Sequence, residues 1–133
     1  MTSHNEATDL DIEGQLEFED QTDDIARAMN HVGHFTDPDG PHRLRLSGIK
    51  ITPREGAYPA ADILLWNKPL EFAHWCQALP VDLVSVERRG LSVILRATVD
   101  SQNVTYRLAS SMPRSNELPE QITVEQLITL LAS

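Results

Sequence analysis

One cysteine in 133 residues, Cys76, leaves no internal disulfide to be made. The chain must therefore hold itself together by burying a core, and the thiol usage fits a reducing compartment, with the cytoplasm as the predicted location. The six glycines stand singly, so no glycine-rich phosphate loop can be assembled. No CxxC pair, HExxH or G-x-S-x-G elbow occurs either. No catalytic residues are marked, no cofactor is implied, and the balance weighs against an enzyme. No apolar run approaches membrane-spanning length, and the first residues are acidic rather than a basic leader ahead of an apolar stretch.

The last scarcity is of positive charge. Residues 1–24 contain nine Asp and Glu and no Lys or Arg, while the other 11 acidic residues are matched by all 11 Lys and Arg. The net charge of −9 thus belongs to the N-terminal segment, and a nucleic-acid mimic acidic over its whole folded surface is not what this pattern describes. Residues 1–20 lack periodicity and are predicted to form an acidic, disordered tail, with 21–133 as a single α+β domain. Leu10, Ile12, Leu16 and Phe18 stand among the carboxylates. They make the tail a candidate partner-binding segment as well as a solubilising one.

What is present is a strong β pattern. Apolar residues alternate through Val84, Val86, Leu91, Val93, Leu95, Ala97, Val99, Val104, Tyr106 and Leu108, which predicts a three-stranded meander over 82–110 with one buried face. Ser85, Glu87, Ser92, Arg96, Thr98, Thr105 and Arg107 would form the wet face, with Ile94 as its apolar exception. Arg89-Gly90 and Asp100 to Asn103 supply the turns.

Three helices are expected around it. Thr22 caps one near 22–32, with Ile25, Ala28, Met29 and Val32 as its stripe and Gly33 at its end. Pro69 opens another at 69–79, where Phe72, Ala73, Cys76 and Leu79 form the stripe and Trp75 lies at the margin. Thr123 and Gln126 make a capping box for the last, at 124–132. Residues 43–52 alternate with a change of phase, which predicts a strand with a bulge at Gly48. Residues 61–66 read as a buried strand, although their continuous apolar run is also compatible with helix. The expected architecture is an α+β two-layer fold, a mainly antiparallel sheet of four or five strands with helices on one face.

Two clusters are chemically notable. His31, His34, Asp37, Asp39 and His42 are the densest set of potential metal ligands, although their spacing matches no specific zinc or calcium pattern. Arg43, Arg45, Lys50 and Arg54 form a basic run on the predicted strand 43–50. No aromatics interleave with it and the body is formally neutral, so it argues poorly for nucleic acid and better for charges that guard a sheet edge. Cys76 and His74 are two apart on a helix and cannot face one another as nucleophile and base.

The functional expectation is a small, non-catalytic protein-binding or regulatory protein, with a protein partner and a homodimer also open to it. A nucleic-acid accessory role through the basic run, and a metal protein or enzyme using 31–42, are the alternatives.

Overall fold

Two tight turns set the sheet. Gln102 and Asn103 both take positive φ, 53° and 62°, as a two-residue type I′ hairpin requires. Gly90, at φ +60°, opens the other turn. They join β3 (Leu83–Arg89), β4 (Ser92–Ser101) and β5 (Val104–Pro113) into the expected antiparallel meander. The computed structural model describes residues 22–113 and 118–132.

Three more strands extend the sheet on both sides. β1 (Gly48–Thr52) and β2 (Ala60–Leu65) form an antiparallel hairpin, and β2 then lies parallel to β5. Residues 61–65 are therefore strand, as their flanking prolines and short length suggest. At the far edge, β6 (Gln121–Thr123) pairs with β3. The sheet has six strands in the order β1-β2-β5-β4-β3-β6, one or two more than expected, and β2 beside β5 is its one parallel pair.

Register places the apolar residues on a common side. Ile49 faces Ile63, Ile63 faces Leu108, Leu108 faces Ala97, Leu95 faces Val86, and Val84 faces Ile122. On that side lie α1 (residues 22–36), α2 (Pro69–Ala78) and α3 (Val124–Ala132). Ala28, Val32, Phe35, Phe72, Trp75, Cys76 and Leu127 join one core with the strand residues.

Several expectations need correction. α1 does not stop at Gly33 but continues for another three residues, because Phe35 is buried, 5.6 Å from the Trp75 ring and 6.1 Å from Tyr106. Trp75 is not marginal: it is fully buried and its indole N–H donates to the Arg45 carbonyl at 2.7 Å. Residues 43–47 are not strand, and the basic run therefore does not form one ladder. Leu44 is still buried and Leu46 still packs on the core, but through an irregular segment tied back by Leu44 N–H to the Phe35 carbonyl at 2.8 Å, without the bulge proposed at Gly48. Leu91 belongs to the β3–β4 turn and is 90% exposed instead of lining the core.

Candidate functional site

With the three helices on one side, the opposite side of the sheet carries the residues of the other parity. Its centre is apolar: Leu64 on β2 pairs with Ala109 on β5, and Ile94 on β4 lies diagonally across from Ala109. All three are partly exposed. Trp66, 45% exposed, follows directly after β2.

Charge pairs border this centre. Arg107 donates to Asp62 in a two-pronged contact, Nε to Oδ1 at 2.6 Å and Nη2 to Oδ2 at 2.8 Å. The bonded carboxylate raises the Arg107 pKa further above its already high ordinary value. On the other flank Glu87 accepts contacts from Arg89 at 3.1 Å and Arg96 at 3.4 Å. Glu87, Arg96 and Arg107 stand on the wet face that alternation predicts; Arg89 is the last residue of β3 instead of a turn residue, and Asp62 joins them because its strand pairs with β5 across 45 residues of sequence.

At one end of the same face the β1–β2 loop folds over the start of β5. Thr105 N–H donates to the Pro59 carbonyl at 2.9 Å. Arg54 Nε donates to the Tyr58 carbonyl and Nη2 to Thr105 Oγ1, both at 2.7 Å. The Thr105 hydroxyl in turn donates to Asp100 Oδ1 at 2.7 Å. Arg54, Gly56, Ala57, Tyr58, Asp100 and Thr105 line an open pocket of about 550 Å³. Thr105 is buried, which explains why a threonine with both hydrogen-bonding functions used sits where alternation predicted a solvated residue.

The other sequence-marked residues are dispersed. His31 lies on the core side, where its Nδ1 meets the Tyr106 hydroxyl. Burial, with a smaller contribution from the neighbouring His34, lowers the His31 pKa below 6.5. Burial also pushes the Tyr106 hydroxyl well up, so that hydroxyl stays protonated where it meets His31. Asp37 Oδ1 accepts from the Asp39 N–H at 2.9 Å, closing the expected turn. The His42 ring rests 5.1 Å from Phe35. Among the described residues no group of three or more His, Cys, Asp or Glu is placed to hold a metal ion. His31, His34, Asp37, Asp39 and His42 are thus not brought to a common point.

Of the basic run, Arg43 Nε donates to the Gly40 carbonyl at 3.4 Å, Lys50 stands opposite Asp62 in the β1–β2 ladder, and Arg54 is engaged in the pocket. Arg45 is exposed while its carbonyl holds Trp75. Cys76 is buried and its thiol is pushed up to about 12 by desolvation, so it packs as an unreactive side chain. Leu10, Ile12, Leu16 and Phe18 lie outside the described residues. No helix among the described residues is long and apolar enough to cross a membrane.

Comparison of the chain with protein-family models, with curated proteins and with solved structures finds no match.

Proposed function

We propose that this chain is a small non-catalytic binding protein that regulates another protein by direct contact, and that the partner sits on the open sheet face. One observation carries the reading. Leu64, Ala109 and Ile94 form a small, partly exposed apolar patch, with Arg96 in register beside Ala109, Glu87 beside Ile94 and the Asp62–Arg107 pair next along the strands, and protein interfaces likewise set apolar contacts inside a polar rim. The N-terminal segment supports a partner with a basic surface: residues 1–24 hold nine carboxylates and no Lys or Arg, and opposite charge accelerates encounter. Leu10, Ile12, Leu16 and Phe18 would then add apolar anchors for the same partner.

The test is affinity capture from the native host with wild-type chain, Leu64→Lys, Ile94→Lys and a chain lacking residues 1–20. Loss of one basic partner with both lysine variants, at unchanged melting temperature, supports the face. Removing the tail should slow association and flatten its salt dependence. Capture that survives both lysine variants overturns the reading. Light scattering on the same proteins identifies a second copy of this chain as the occupant if a dimer mass is found that the lysine variants abolish.

A further inference from the structure

The geometry points to a binding site for an α-amino acid zwitterion in the pocket formed by Arg54, Tyr58, Asp100 and Thr105. The inference does not rest on the partner-binding reading, although the pocket lies at one end of the same face. It rests on a pair of opposite charges that the fold brings close but does not let meet. The Thr105 hydroxyl accepts from Arg54 Nη2 and donates to Asp100 Oδ1, each at 2.7 Å, so guanidinium and carboxylate are held one hydroxyl apart. No direct ion pair between them occurs among the described residues.

Each charged group retains unused capacity. The Arg54 bonds employ Nε and one hydrogen of Nη2, which leaves Nη1 and the second Nη2 hydrogen as donors. Asp100 uses Oδ1 toward Thr105, which leaves Oδ2 as an acceptor. Thr105 itself is buried, with its one O–H spent on Asp100 and a lone pair on Arg54, so it fixes the spacing and leaves the ligand to the two charged groups. A molecule that carries a carboxylate and an ammonium on one carbon satisfies both vacant functions at once, with charge-assisted bonds at each end.

The surroundings suit such a guest. Gly56 and Ala57 contribute no bulk, and a Cβ built on Gly56 would meet nothing within 4 Å. Tyr58 is 46% exposed and lines the pocket, so an aromatic side chain stands within reach of the ligand's side chain. The pocket is open, at about 550 Å³, so an aromatic or long side chain is not obstructed.

The test is a titration of isotope-labelled full-length protein with phenylalanine, followed by amide shifts of Gly56, Ala57 and Thr105. Parallel titrations use N-acetylphenylalanine and phenylalanine amide, each of which lacks one charge. Saturable shifts with phenylalanine, and binding of both blocked compounds about tenfold weaker or worse, are the expected result. Asp100→Asn should abolish discrimination against the acetylated compound, and Arg54→Gln discrimination against the amide. Tyr58→Ala, which leaves Arg54, Thr105 and Asp100 in place, should weaken phenylalanine but not glycine. Equal binding of the blocked compounds, or no shift with phenylalanine at about 10 mM, overturns the site.

Discussion

Arg107 holds Asp62 with two parallel bonds, 2.6 and 2.8 Å long, across the parallel pair β2–β5. The contact ties the N-terminal hairpin to the meander on the side away from the core. Its side chains are 46% and 23% exposed, so water screens it. A double-mutant cycle with Asp62→Asn and Arg107→Gln in urea unfolding should give a coupling of about 0.5–1 kcal/mol. That coupling should shrink in high salt. A coupling near zero at low salt would mean that the ladder, the Ile63–Leu108 core contact and the Ser110 hydroxyl on the Leu65 carbonyl join the two strands without help from this ion pair.

Trp75 and Trp66 should behave as opposites. Trp75 is fully buried and Trp66 is 45% exposed, so acrylamide should quench Trp66 and spare Trp75 in the native chain. Trp75→Phe removes part of a core ring and leaves the Arg45 carbonyl without its donor. The expected loss is about 2 kcal/mol by denaturant titration, whereas Trp66→Phe should cost little.

Acid should weaken the contact between α1 and β5. Because burial lowers the His31 pKa in the folded chain, the unfolded chain takes up the proton more readily. The stability that neutral His31 contributes is therefore fully present above about pH 6.5 and is lost as pH falls through the lower folded value. An NMR titration of the His31 ring should give a midpoint below 6.5. His34→Gln should raise that midpoint, since the His34 charge is the second cause of the shift. A midpoint unmoved by His34→Gln would show that burial acts alone.

Gly48→Ala should stabilise. A Cβ at Gly48 would lie 3.6 Å from Leu64 Cδ1, an ordinary contact that adds apolar area to the open face. Gly48 has no positive φ, and alanine restricts the unfolded chain, so a gain of about 0.4–1 kcal/mol is expected. A fall in melting temperature would mean that β1 is strained at its first residue.

The parts of this fold legible in the sequence are those written in local chemistry. The capping box is present as read: Thr123 N–H donates to Gln126 Oε1 at 2.9 Å, and Gln126 N–H donates to Thr123 Oγ1 at 3.1 Å. Period-two alternation found the meander and its two faces because each strand is joined to the next by a tight turn. The parallel neighbours β2 and β5 were not visible, since no turn signal links strands so far apart. The same distance hid the pocket: Arg54 and Thr105 are 51 residues apart, and nothing about either residue alone announces the other. Trp75 was underrated because helical periodicity registers its own helix, not the irregular segment 43–47 that closes over it.

The parallel pair also orders assembly in time. The β1–β2 hairpin is synthesised first, yet the inner edge of β2 has no partner until Val104–Pro113 has been made. The meander needs only neighbours in sequence, and local pairings form before distant ones. On a ribosome the early hairpin must wait with one row of backbone donors and acceptors unfilled. The last long strand to emerge is the one that admits the first two.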